Sequence, residues 1–201
     1  MSSDDTSRPQ FGDGFDEFMD TALYGPGGFY SGGAGPGRRG AAFLTSPEMG
    51  TLFGAVVARA LDAWWDDLGQ PAPFSVVEGG GGRGALAASI RQARPRCAEA
   101  LHYVVVERAA PARAAAAEHA TVLEDLPEPG SLGPTGVVLA NELLDNLVFK
   151  VVERAYDGWR ELRVVQAGDR YAFTMGERVP RFDHLHNDVG ARVPWHTAAI
   201  Q

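Results

Sequence analysis

The stretch Pro73–Gly84, PFSVVEGGGGRG, constrains this chain more than any other. Phe74, Val76 and Val77 read as a buried parallel strand, Glu78 closes it, four glycines follow, and Ala85–Ile90 opens a helix. Strand, tight turn and helix in that order bring backbone close to a ligand. Glycine, having no Cβ, takes the positive φ and allows the close approach that such a turn demands without steric cost. The expected ligand is nucleotide-like.

Two glycine frames overlap here. Gly79, Gly81 and Gly84 satisfy the G-x-G-x-x-G pattern of dinucleotide sites, whereas Glu78 with Gly80, Gly82 and Gly84 satisfies E-x-G-x-G-x-G, the frame of S-adenosylmethionine (SAM) enzymes. Charge separates them. A carboxylate at the strand tip repels a pyrophosphate held at the helix N-terminus, but attracts the sulfonium and ammonium of SAM, which carries no phosphate. SAM is therefore the favoured cofactor. A nicotinamide-dependent oxidoreductase is the rival that the other frame permits, and a glycine turn without a ligand is the minimal reading.

The 201 residues suffice for one main domain with a core and an appendage. No apolar run approaches the ~20 residues of a membrane helix, so no membrane insertion is expected. The start MSSDDTSRPQ carries acids where a leader carries basic residues, which points to a cytoplasmic location. A net charge of -8 without a basic tract excludes a nucleic-acid backbone as the main partner. Cys97 is the only cysteine, read as a small apolar residue, and Lys150 is the only lysine. His184-x-His186 lacks further ligands at metal-site spacing, so no metal is expected.

Along the chain, residues 1–10 read as a tail, and Phe11–Leu23 as a short helix stopped by Gly25-Pro26-Gly27-Gly28. Gly32–Gly40 reads as a mobile loop. Thr45-Ser46-Pro47-Glu48 has the form of a capping box. Behind it Met49, Leu52, Phe53, Val56, Val57, Ala60, Leu61, Trp64 and Leu68 draw one apolar helical stripe, which assigns Trp64 and Trp65 to packing. Leu101–Val106 is a second buried strand closed by Glu107, placed where a nucleoside-binding α/β fold holds ribose hydroxyls. Pro111–His119 is helical, Thr121–Leu123 a third strand, and Asp125 at its tip is a candidate for the adenine amino group or a loop acid. Gly136–Ala140 is a fourth strand, followed by Asn141, Glu142 and Asp145. From Phe149 onward, alternating strands around the Tyr156-Asp157-Gly158 turn make a meander. The expected segments are 1–48, a core over 49–148, and 149–201.

The segments FMDTALYGPGGFYS, RRGAAFLTSPEMGTLFG, VVEGGGGRGALAASI, YVVVER, GVVLANELLDNLVF and GARVPWHTAAIQ together resemble the MidA-like SAM-dependent methyltransferases, relatives of a mitochondrial complex I assembly factor that methylates arginine. The resemblance spans nearly the whole chain, and TSPE with NELLDNL is far more specific than the glycines. It implies an α/β fold of the Rossmann-like methyltransferase type, with SAM held at the glycine turn and by Glu107. It also implies a protein substrate of the complex I subunit type. Ala42 and Val148 depart from the family pattern, and family members extend beyond the position of Gln201, so an incomplete sheet with an unpaired fourth strand is expected. For an arginine acceptor, carboxylates must bind and orient the guanidinium, and Glu142 and Asp145, with Asn141, are the candidates. Asn141 and Glu142 read equally well as caps of a following helix. A SAM-binding assembly protein without catalysis is the remaining alternative.

Overall fold

The computed structural model describes residues 12–31, 50–133 and 136–195. The expected tail at 1–10, the glycine loop at 32–40 and the Thr45–Glu48 helix start lie outside the described residues. Two compact units emerge, one joining residues up to Gly25 with those from Leu147 on, the other spanning Pro26–Asn146. The short N-terminal helix thus shares a unit with the meander, a grouping drawn differently from the expected segments because its partners are 130 or so positions away in sequence.

Strands β2 (Phe74–Gly79), β3 (Leu101–Val106), β4 (Thr121–Leu123) and β5 (Gly136–Ala140) build the Pro26–Asn146 unit as an all-parallel sheet in the order β4-β3-β2-β5. Register pairs Glu78 with Val105 on one side and with Leu139 on the other. Helices α2 (Thr51–Asp67), α3 (Ala85–Ala93) and α4 (Ala110–Ala116) supply the crossovers and cover. Phe74, Val76, Tyr103 and Val105 from the sheet meet Ala58 and Leu61 of α2 and Leu86, Ala87 and Ile90 of α3 in one core. Burial of such side chains is worth about 1.5–3 kcal/mol each, which is why the central strands are nearly unbroken apolar runs.

Helix α2 departs from the single buried stripe. Gly54, Ala58 and Leu61 are buried, but Leu52, Val56, Trp64 and Leu68 are exposed. Nine apolar positions make a stripe wider than one sheet face can cover. Trp65 does pack on the core, and its Nε1 donates to Pro71 O at 3.0 Å. Gly54 is where α2 crosses α3 most closely: a Cβ there would lie 2.1 Å from Ser89 Oγ and 2.9 Å from Ser89 carbonyl carbon. Strand β5 pairs only with β2 among the described residues, and its Val138 is 77% exposed.

The other unit is antiparallel. Strands β6 (Lys150–Ala155), β7 (Gly158–Ala167) and β8 (Arg170–Arg178) form the expected meander, joined by β1 (Asp13–Gly14) on β7 and β9 (Arg192–Trp195) on β6. Val152, Trp159 and Phe182 make its core. Helix α1 (Phe15–Tyr24) packs through Phe15 against Phe149 and Phe173, and through Phe18 against Tyr171. The lone lysine ties it down: Lys150 Nζ lies 3.1 Å from Asp16 of α1 and 2.8 Å from Glu161 of β7.

Candidate functional site

The glycine turn sits at the carboxyl end of β2, where open parallel sheets bind ligands. Gly80, Gly82 and Gly84 have φ of 66°, 54° and 81°, whereas Gly79 and Gly81 do not enter the left-handed region. The alternate glycines that follow Glu78 are thus the conformationally required ones. Gly84 also sits against α4, where a Cβ would come within 3.0 Å of Ala116 Cα. Above Gly82 the space is open, since nothing lies within 4 Å of its Cβ position. Leu143, just past β5, covers Gly79 and Gly80.

Glu78 lies directly beneath this turn. It is only 3% exposed, and a Cβ on Gly81 would stand 3.0 Å from its Oε2. Tyr103 of β3 donates its hydroxyl hydrogen to that oxygen at 2.9 Å. Burial pushes the Glu78 carboxyl up to about 7; the Tyr103 hydrogen bond works against this, and the nearby Glu107 charge adds to it. The Tyr103 phenol is pushed upward too, by burial first and then by the Glu78 charge.

Glu107 follows β3 and clasps the turn. Its Oε2 accepts the Gly82 N–H at 3.0 Å and its Oε1 the Ala109 N–H at 2.8 Å. Arg113 of α4 donates to the Glu107 carbonyl at 2.9 Å and pairs with Glu124 at 3.0 Å. Glu78 and Glu107 therefore converge on one glycine turn from adjacent strands. Asp125 does not join them: it is exposed in the bend after β4, one strand further out.

Asn141, Glu142 and Asp145 follow β5. No α-helix begins there for Asn141 and Glu142 to cap; the segment closes in a single 3-10 turn, Leu144–Asn146. Glu142 is exposed with φ of 53°, a conformation that costs a non-glycine residue about 1–3 kcal/mol. Asn146 holds the turn: its Nδ2 donates to Glu142 O at 2.9 Å and lies 3.4 Å from Asp145 Oδ1. Tyr30, just after the Gly25-Pro26-Gly27-Gly28 segment, donates to Asn146 Oδ1 at 2.6 Å. Sequence reasoning missed Tyr103, Asn146, Leu143 and Tyr30. For Tyr103 a signal existed, because a phenol in an otherwise apolar buried strand needs a polar partner, and Glu78 was the only acid in the neighbouring strand.

Among the described residues no cluster of His, Cys, Asp or Glu is arranged to hold a metal ion, and His184 Nδ1 lies 2.8 Å from Arg181 O. No described helix is long and apolar enough to cross a membrane.

A parallel α/β sheet with a left-handed glycine turn and two strand-end carboxylates under and beside it defines a nucleoside-cofactor fold of the Rossmann-like methyltransferase type. The chain belongs to the family described as "Putative S-adenosyl-L-methionine-dependent methyltransferase", whose model matches residues 56–199. Over 75 residues it is 41% identical to the protein arginine methyltransferase NDUFAF7 homolog, mitochondrial, of Drosophila melanogaster, covering 37% of this chain and 17% of that protein. A Burkholderia thailandensis protein solved with bound S-adenosyl-homocysteine aligns with a TM-score of 0.73 at 29% identity, over 94% of this chain and 53% of its own. A native crystal structure of a protein from the same organism aligns at 0.71 and 28%, over 94% and 51%. The chain thus spans about half the length of these structures.

Proposed function

We propose that the Pro26–Asn146 unit binds SAM and its product S-adenosylhomocysteine at the Gly80–Gly84 turn, and that the protein acts in methyl transfer to a protein arginine. One observation carries the reading: a buried carboxyl, Glu78, lies under a turn whose three required glycines leave open space at Gly82. The residues fit a cationic nucleoside cofactor. Glu78 supplies negative charge where a pyrophosphate would be repelled, and Glu107, already an acceptor of two N–H groups, has lone pairs left for ribose hydroxyls.

When bound, SAM supplies an electrophilic methyl group for in-line displacement by a nitrogen lone pair. The chain's task is then to position the acceptor and exclude water. Glu142 and Asp145 present carboxylates beyond β5, on a turn whose backbone Asn146 and Tyr30 brace, that bind a guanidinium and take up the proton it must lose. Asn141 supplies a further polar contact, and Asp125 is the candidate for the adenine amino group from the edge of the sheet. The similarity to the arginine methyltransferase homolog supports a protein acceptor, and the acceptor we propose from the MidA-like motifs is a respiratory complex I subunit. The test is transfer of labelled methyl from SAM to a complex I subunit homologue. Incorporation at arginine, lost in Glu142→Ala with S-adenosylhomocysteine binding intact, supports the assignment; incorporation undiminished in that variant refutes the role of Glu142.

A further inference from the structure

The Glu78–Tyr103 pair is a buried acid and phenol in direct contact, with the carboxyl close beneath Gly81 of the turn. Tyr103 is 3% exposed, so no water replaces its hydroxyl as donor to Glu78 Oε2. Tyr103 also belongs to the core that residues of α2 and α3 share with the sheet, and this packing holds its ring in place.

We propose that Tyr103 is a positioning residue for the cofactor: its hydroxyl holds Glu78 beneath the glycine turn and couples binding of a cationic cofactor to release of a proton from Glu78. The inference rests on the cofactor reading above and deepens it. Other ionisable groups around Glu78 do not supply the coupling. Glu107 is the nearby acid, and it is clasped by the Gly82 and Ala109 N–H groups. Strand β5 has no ionisable residue. Arg83 in the turn and Arg91 on α3 are exposed. On α2, Arg59 and Asp67 are exposed, and Asp62 and Asp66 pair with Arg96.

The physical step is simple. Burial favours the neutral carboxyl, the phenol hydrogen bond favours the carboxylate, and the two leave Glu78 titrating near neutrality. An ammonium or sulfonium brought over the turn selects the carboxylate, so the proton leaves to solvent as the cation arrives.

Calorimetry of S-adenosylhomocysteine binding, in buffers of different ionisation enthalpy from pH 6 to 8.5, counts that proton. With Glu78 titrating at about 7, about half a proton leaves per ligand at pH 7 and almost none at pH 8.5. Tyr103→Phe removes the donor that favours the carboxylate, so release at pH 7 grows beyond the wild-type count and affinity falls severalfold, converging on wild type as pH rises. Glu78→Gln binds more weakly, for want of the charge, and its binding shows neither proton release nor pH dependence over this range. The wild-type count and this control test the coupling even where the phenylalanine variant does not fold. Binding whose enthalpy is the same in every buffer, with affinity flat from pH 6 to 8.5, overturns the inference while leaving the cofactor reading intact. Proton release unchanged in a folded Tyr103→Phe removes Tyr103 from it. No binding at any pH overturns the cofactor reading and this inference together.

Discussion

Replacing Glu107 with alanine should damage the protein twice, once without ligand and once with it. Without ligand, the carboxylate joins the glycine turn to the start of α4 by accepting the N–H groups of Gly82 and Ala109 at 3.0 and 2.8 Å. Hydrogen bonds to a charged acceptor are worth about 1.5–3 kcal/mol each. Gly82 is half-buried, so water recovers much of its share, but Ala109 is 6% exposed and its N–H is left without a partner. A net loss of about 2 kcal/mol in stability follows, measured by urea unfolding followed by circular dichroism. With ligand, loss of the ribose contacts costs a further ~1.5–3 kcal/mol, or roughly tenfold to a hundredfold in S-adenosylhomocysteine affinity by calorimetry. Glu107→Gln keeps one acceptor oxygen but turns an NH2 toward the other donor, so it restores at most half of either loss. Unchanged stability in Glu107→Ala would show that the clasp is not holding the turn. Unchanged affinity would show that Glu107 does not touch the ligand.

Gly54→Ala should destabilise the chain by about 1–3 kcal/mol, although alanine is the better helix former by about 1 kcal/mol, because its Cβ drives into Ser89 of α3; a raised melting temperature contradicts the close crossing. Stability of the ligand-free protein should fall as pH rises from about 4.5 to about 7, since Glu78 stays protonated in the fold while the unfolded chain ionises. The loss is on the order of 3 kcal/mol, complete above the folded value and absent from Glu78→Gln, and parallel pH profiles for the two proteins in urea unfolding contradict it. Cys97 is fully buried, with its thiol pushed up to about 11 chiefly by burial, so a thiol reagent should react with it only at the rate of unfolding; rapid labelling of the native protein at pH 8 contradicts this packing.

The parallel unit was legible because its signals are local. Phe74–Gly79 and Leu101–Val106 are apolar runs ending at an acid or a glycine, Gly136–Ala140 is bounded by a glycine and a polar turn, and each appears as a strand. The placement of Glu78 and Glu107 at one turn followed from the rule that parallel strands end on the same side. What sequence does not display is which distant groups meet. The pairing of α1 with the meander depends on Lys150 reaching Asp16 and on Phe15 reaching Phe149, contacts that no periodicity encodes. Strand β9, Arg192–Trp195, is four residues long and contains a proline, so its pairing with β6 was invisible. Helix α2 misled in the opposite direction: its apolar pattern is real, but only half of it faces the sheet. The turn after β5 carried an acidic signature, yet the left-handed Glu142 and the Asn146 amide that holds it follow from backbone geometry alone.

The most direct test of the account is calorimetric comparison of S-adenosylhomocysteine and NAD with the same preparation, repeated with Gly82→Val. Valine at Gly82 would fill the open space above the turn and force a branched side chain to φ of 54°. The expected result is saturable binding of S-adenosylhomocysteine to the parent chain, none or far weaker binding of NAD, and loss of S-adenosylhomocysteine binding in the variant. NAD binding more tightly than S-adenosylhomocysteine, or the valine variant binding S-adenosylhomocysteine as well as the parent does, would contradict it.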